Sequence, residues 1–279
     1  MSETDGLSSA RGRALRHDMT KPSVARLYDA MLGGKDHYEV DRQVVRRLEQ
    51  IAPEIRDLVR EHRQWQRRVV RFLAHRIGID QFLDLGSGLP TIENTHQVAQ
   101  RNNGDARVVY VDIDPAVQAH ARATLEENDR TYFLAADLTR PAELLADPVI
   151  TTHLELDRPL GLLQCATLHY IPDLADARAV LAGYVDALAP GSYVVLTHQF
   201  DPGDGGPRGK LAAQLRQVYA ETVGDSVFRS RADIESFFDG LDLVEPGLAY
   251  LHEWWPDGPR WRPLTDVNFT MLGGVARKP

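Results

Sequence analysis

The chain of 279 residues contains one cysteine, Cys165, so no intrachain disulfide can form and no cysteine-based zinc site is available. It also lacks any apolar run long enough to span a bilayer. Its start, Met1 to Arg16, is polar, without the apolar segment of a secretory leader. A cytoplasmic location with no membrane contact is therefore expected. Lysine is scarce as well, because 28 of the 32 basic residues are arginine. That skew reads as a coding preference, so Arg56, Arg60, Arg63, Arg67 and Arg71, recurring at helical spacing, are taken as a solvated helix face. The net charge of −8 opposes attraction to a phosphate backbone, and nucleic acid is not an expected partner. Nothing in the sequence determines the oligomeric state.

What is present is the composition of an ordinary globular domain, 43% hydrophobic and 26% charged. Residues 1–20 are polar and patternless, and disorder is expected there. From 21 to 79 the pattern is helical. Ile55, Leu58, Val59, Trp65, Val69, Phe72 and Leu73 mark one face of a helix that Pro53 can start, and Gly33-Gly34 divides the preceding segment into two shorter helices. No strand pattern precedes Gln81, so this front section reads as a helical cap and residues 80–279 as the core domain.

From Gln81 onward strands and helices alternate, the pattern of a mostly parallel sheet covered on both faces. Strands are expected at 81–85, 107–112, 131–136, 158–165 and 191–198. Helices are expected near 91–101, 115–127, 141–146, 173–188, 208–223 and 231–239. Two strands, near 243–251 and 267–276, finish the chain with no helix between them, which makes them antiparallel neighbours. The fold class is thus α/β and Rossmann-like, with an antiparallel C-terminal hairpin.

The most informative segment is Phe82-Leu83-Asp84-Leu85-Gly86-Ser87-Gly88-Leu89-Pro90-Thr91, an apolar run that delivers an acidic residue and a two-glycine turn. Gly86 and Gly88 allow a sharp turn and close backbone approach to a ligand around Ser87. Val108-Val109-Tyr110-Val111 then ends in Asp112, placed to accept hydrogen bonds from both hydroxyls of a ribose, next to Ile113. Asp114, before Pro115, reads as a helix cap. Asp137, followed by Leu138, is read either as the partner of an adenine amino group or as a cap for the next helix. The third glycine of the dinucleotide fingerprint is replaced by Thr91. Together with the terminal hairpin this favours S-adenosylmethionine over NAD(P), although an NAD(P)-dependent oxidoreductase stays open as a lesser reading.

The fourth strand leads into Gln164-Cys165-Ala166-Thr167-Leu168-His169-Tyr170-Ile171-Pro172-Asp173. Small residues at Cys165 and Ala166 leave room for the methionine part of the cofactor, though Cys165 also reads simply as a buried small side chain. His169 and Tyr170 either face an acceptor or pack against the following helix. As general base, if one is needed, His169 ranks first, His198 second and Asp173 third. The loop 252–266 carries Trp254, Trp255 and Trp261, either a wall of the substrate site or a shield for the sheet. No metal site is expected.

The segment Asp18-Met19-Thr20-Lys21-Pro22-Ser23-Val24-Ala25-Arg26-Leu27-Tyr28-Asp29-Ala30-Met31-Leu32-Gly33-Gly34-Lys35-Asp36 closely resembles the opening signature of a bacterial family, the S-adenosyl methyltransferase domain proteins of unknown substrate. The resemblance continues through Gly86 to Thr91, Val109 to Pro115, Ala136 to Pro141 and the tail Gly274 to Pro279. Where the family usually reads Lys-Asp-Asn, this chain has Lys35-Asp36-His37. The resemblance implies a seven-stranded methyltransferase core with the N-terminal helices closing over S-adenosylmethionine. It further implies Tyr28 or Tyr38 against the sulfonium, Arg26 or Lys35 at the methionine carboxylate, and Gly33-Gly34 as a ligand-facing turn. The expected activity is methyl transfer to a small-molecule acceptor. A protein that binds the cofactor or its demethylated product without turnover, as a sensor or partner module, is the alternative.

Overall fold

The computed structural model describes residues 18–90, 93–124, 129–259 and 262–279. Expectations concerning residues 1–17, Thr91 and Trp261 lie outside the described residues.

Three helices open the structure: α1 (Val24–Leu32), α2 (Glu39–Ile51) and α3 (Ile55–Arg71). Ser23 starts α1 by accepting from the Arg26 amide at 3.2 Å. Gly33, in the left-handed conformation at φ +81°, ends it. The apolar positions of α3 recur every three or four residues, and Ile55, Leu58, Val59, Trp65 and Val69 are all buried. A π-helical turn, Phe72–Ile77, carries α3 to Gly78.

The sheet contains β1 (Gln81–Leu85), β2 (Arg107–Asp112), β3 (Thr131–Ala135), β4 (Gly161–Cys165), β5 (Tyr193–Gln199), β6 (Asp242–Leu243), β7 (Ala249–Tyr250) and β8 (Met271–Arg277). The order is β3-β2-β1-β4-β5-β8-β6, with β7 also paired to β8. β1 to β5 pair in parallel, and β8 runs antiparallel to β5, β6 and β7. There are eight strands rather than seven because the segment 243–251 is divided. Pro246 has no amide to give the ladder, and the Gly247 amide turns back to the Val244 carbonyl at 2.8 Å.

Between the strands lie α4 (Thr95–Asn102), α5 (Pro115–Thr124), α6 (Pro141–Leu145), α7 (Pro148–His153) and α8 (Leu174–Ala187). Then come α9 (Pro207–Thr222) and α10 (Arg231–Glu235). The short α7 is not foreseen from the sequence. Asp147 caps it by accepting from the Val149 amide at 2.8 Å, ahead of Pro148 at its first position.

Because successive strand residues face opposite sides, each strand feeds two cores. Phe82, Val108, Leu163 and Val195 pack with α1 to α4 and α9. Leu83, Val109, Leu162 and Val194 pack with α6, α7, α8 and α10. The helices preceding the sheet therefore lie on the same face as α9, and they meet the carboxyl ends of the parallel strands there. No described helix is long and apolar enough to cross a membrane.

Candidate active site

A cavity of about 600 Å³ lies at the carboxyl ends of β1, β2, β3 and β4, roofed by α1 and α3 and walled by α9. This is where ligands bind in open parallel sheets. Its polar end is built by the turns after the first three strands. The Gly86 and Ser87 amides both donate to the Val111 carbonyl, at 2.8 and 3.1 Å, which folds the glycine turn over the tip of β2. Gly86 sits at φ +72°, and a Cβ there would come within 2.4 Å of the Thr167 methyl. Only glycine suits that position without rearrangement.

Asp112 closes β2. Its Oδ2 accepts from the Gly88 amide at 2.8 Å and its Oδ1 from the Asp114 amide at 2.9 Å. Burial raises its pKa, and these two amides act against that rise. Asp114 accepts from the Ala116 amide at 2.8 Å and caps α5. Asp137 holds its own turn through the Thr139 amide and hydroxyl, at 2.9 and 2.7 Å, while lining the cavity beside Leu138. Asp84 is buried, accepts from the Thr95 hydroxyl at 2.7 Å, and is pushed up to about 6 by burial. The Arg63 charge acts against that rise.

The other end is apolar. Met31, Ile55, Leu58, Val59, Leu215 and Phe228 contribute to it, with Tyr28, Tyr170 and Tyr219. Cys165, Ala166 and His169 face it from the end of β4. Cys165 is buried, and burial raises its thiol pKa well above the ordinary value. His169 is also buried, and its Nδ1 has no hydrogen-bond partner among the described residues. Burial lowers its pKa well below 6.5, so the ring is neutral at pH 7.

Several expected site residues lie elsewhere. His198 does not line the cavity: its Nε2 accepts from Arg229 at 2.7 Å and its Nδ1 donates to the Gln199 carbonyl at 2.7 Å, leaving no nitrogen for a substrate. Asp173 is exposed and caps α8 by accepting from the Asp176 amide at 2.9 Å. Gly33, Gly34, Lys35 and Tyr38 are outside the cavity lining. Gly34 faces Asp29, Lys35 is exposed, and Tyr38 has the Arg26 guanidinium 5.2 Å from its ring centroid. Arg26 does line the cavity, and it is paired with Asp41 at 2.9 Å.

Trp254 and Trp255 do not line the cavity. Arg68 of α3 donates to the Trp254 and Leu251 carbonyls at 2.8 and 2.9 Å, drawing the loop onto the helix. Trp254 is consequently fully buried, bonded to the Gly273 carbonyl at 3.0 Å, and Trp255 packs on Phe72.

Sequence reasoning missed His62, Arg63 and Gln66, which α3 brings into the cavity. The Arg63 guanidinium donates to Gln66 Oε1 at 2.8 Å. His62 lies four residues after Leu58 and three before Trp65, on the apolar face of α3. That placement was the available signal.

The fold has counterparts among solved structures. A family model described as S-adenosyl methyltransferase matches residues 11–279. The chain belongs to the S-adenosyl methyltransferase family. A candidate methyltransferase from Thermobifida fusca is 40% identical, with a TM-score of 0.87 over 94% of this chain and 96% of that one. A DUF574 family protein from Streptomyces avermitilis is 34% identical, with a TM-score of 0.89 over 95% and 100%. The fold alone extends to the N-methyltransferase NodS from Bradyrhizobium japonicum, solved with S-adenosylhomocysteine. That protein is 14% identical, with a TM-score of 0.50 over 91% of this chain and 99% of that one. No curated protein compared with the chain matches it. The chain is accordingly an S-adenosylmethionine-dependent methyltransferase.

The residues present suit that cofactor. Asp112 is a carboxylate at a strand tip with no Lys, Arg or His paired to it among the described residues. Beside it lies a glycine turn whose backbone a Cβ at Gly86 would disturb.

Proposed function

We propose that the cavity binds a small, largely apolar acceptor next to S-adenosylmethionine and methylates it by in-line attack. The observation that carries this reading is the composition of this cavity: carboxylates and a glycine turn at the ends of β1 to β3, and an apolar, aromatic chamber between α1, α3 and α9. A protein that only sensed the cofactor has no use for the second part.

In this reading Asp112 accepts from the ribose hydroxyls, Asp137 from the adenine amino group, and Arg63 pairs with the methionine carboxylate. Bound there, the cofactor supplies an electrophilic methyl group on a positively charged sulfur that leaves neutral. The protein's contribution is then alignment and exclusion of water, and positioning can supply roughly 7–11 kcal/mol. His169, with its depressed basicity, serves as a hydrogen-bonding partner of the acceptor rather than as a strong base.

Calorimetry with S-adenosylmethionine and S-adenosylhomocysteine tests the assignment, with NAD(H) as control. The expected result is binding of both sulfur ligands, lost or weakened by at least about tenfold in Asp112→Ala, as removal of a charged hydrogen-bond acceptor predicts. Binding of NAD(H) in preference, or no effect of Asp112→Ala, would contradict it.

A further inference from the structure

A chain of hydrogen bonds runs from the sheet to the cap through the cavity. The Ala166 amide donates to Thr197 Oγ1 at 2.8 Å, Thr197 Oγ1 lies 2.8 Å from His62 Nε2, and His62 Nδ1 lies 2.5 Å from Tyr28 Oη. An amide can only donate, so the first bond has a fixed direction. Thr197 is fully buried, and its own proton finds an acceptor at His62 Nε2. The imidazole proton then sits on Nδ1 and points to Tyr28. The Tyr28 proton is left with the Val59 carbonyl at 3.4 Å, a long and weak bond. In the reverse order Thr197 would accept twice and bury its hydroxyl proton unpartnered.

The reverse order is also what base catalysis by this pair needs, since His62 would end as an imidazolium. Burial pushes the His62 pKa down to about 3, with the neighbouring Arg63 charge adding to the fall. At pH 7 roughly one molecule in 10⁴ would carry that proton. The cavity's carboxylates belong to its polar end, where Asp84 accepts from Thr95, Asp112 from the Gly88 and Asp114 amides and Asp137 from Thr139. The other titratable groups of the apolar chamber are no better. Burial lowers His169 and raises Cys165, Tyr170 and Tyr219, so each is neutral at pH 7. The chamber is equipped to give a hydrogen bond and is poorly equipped to remove a proton.

We propose that the Tyr28 hydroxyl donates a hydrogen bond to an oxygen of the acceptor, and that this acceptor is a hydroxyarene or enol bound as its oxyanion. The inference rests on the methyl-transfer reading above. The oxyanion exchanges the long Tyr28–Val59 contact for a short, charge-assisted bond. No base is required: an oxygen lone pair forms the bond to the methyl carbon while the carbon–sulfur bond breaks with its pair to sulfur. Negative and positive charge cancel, and no proton moves. Tyr28 is then a catalytic residue, while His62 and Thr197 position its proton.

The test uses 4-nitrophenol, whose visible absorbance reports the phenolate, with protein saturated in S-adenosylhomocysteine and 4-nitrotoluene as the neutral counterpart. The bound probe is expected to ionise at lower pH than the free one. Tyr28→Phe is expected to weaken phenolate binding about tenfold while changing 4-nitrotoluene binding less than about twofold. Binding as the neutral phenol, or an unchanged ratio in Tyr28→Phe, overturns the proposal. The ¹⁵N spectrum of wild-type protein, with His62 assigned through His62→Gln, gives a second readout. Nδ1–H supports the chain as drawn and Nε2–H overturns it. If S-adenosylhomocysteine binds and the phenolate does not, this inference alone falls. If S-adenosylhomocysteine fails to bind, the methyl-transfer reading falls and this inference with it.

Discussion

Arg26 Nε donates to Asp41 Oδ2 at 2.9 Å, with both side chains buried, and that pair locks the start of α1 to the start of α2. Asp41 also accepts from the Ser23 amide at 3.1 Å and the Tyr38 amide at 2.8 Å, so one carboxylate holds three segments of the cavity roof. Removing one partner of a buried pair leaves the other uncompensated. Asp41→Asn is expected to destabilise the protein by about 3 kcal/mol and to expose the cap to proteolysis ahead of the sheet. Denaturant melts and timed limited digestion would check both.

Arg63 offers a test of ligand placement. If it pairs with the methionine carboxylate, Arg63→Ala should weaken S-adenosylhomocysteine by about 10- to 100-fold, the range for a charge-assisted bond. 5′-Methylthioadenosine, which lacks the amino-acid group, should bind the variant as it binds wild type. Equal losses for the two ligands in parallel calorimetric titrations would place Arg63 elsewhere.

Acid should unfold this protein through its buried histidines. His62 and His198 are each pushed down to about 3 by burial, against an ordinary value of 6.5. Because the unfolded state binds those protons first, the stability they contribute is present above pH 6.5 and is lost as pH falls towards 3. At pH 5 the loss is roughly 2 kcal/mol per histidine. Asp84 acts in the opposite sense. Its folded pKa of about 6 lies above the ordinary 3.8, so its burial penalty is relieved as pH falls through that window. Urea unfolding at pH 7.5 and 5 should show a net loss. Asp84→Asn should raise stability at pH 7.5 by about 1–3 kcal/mol, the size of its pKa shift.

Gly34 touches a carboxylate rather than a ligand. A Cβ there would lie 1.8 Å from Asp29 Oδ1, and Asp29 holds the Asp36 amide at 2.9 Å and His37 Nδ1 at 2.8 Å. Gly34→Ala should therefore destabilise by about 2 kcal/mol as Asp29 is displaced. In an Asp29→Ala background the same change should have a much smaller effect. A thermal-melt double-mutant cycle measures the coupling. Additive effects would mean that Gly34 matters for another reason.

The sequence by itself determined the parallel sheet, its strands through β5, the glycine turn and the acidic residues at the tips of β1, β2 and β3. These rest on local physics: apolar runs of strand length, glycine's access to positive φ, and capping carboxylates beside proline. The family was legible for the same reason, since its signatures are contiguous. Only the tertiary structure decided which side chains share the cavity. Arg63 looked like one of five solvated arginines until α3 crossed the strand ends, and His62 and Thr197 meet across 135 residues of chain. Trp254 read equally as a substrate wall or as a shield for the sheet, and Arg68 decided it by drawing the loop into the core. His198 ends up holding Arg229. Each of these outcomes depends on a partner distant in sequence, and residue type and spacing carry no record of where that partner lies.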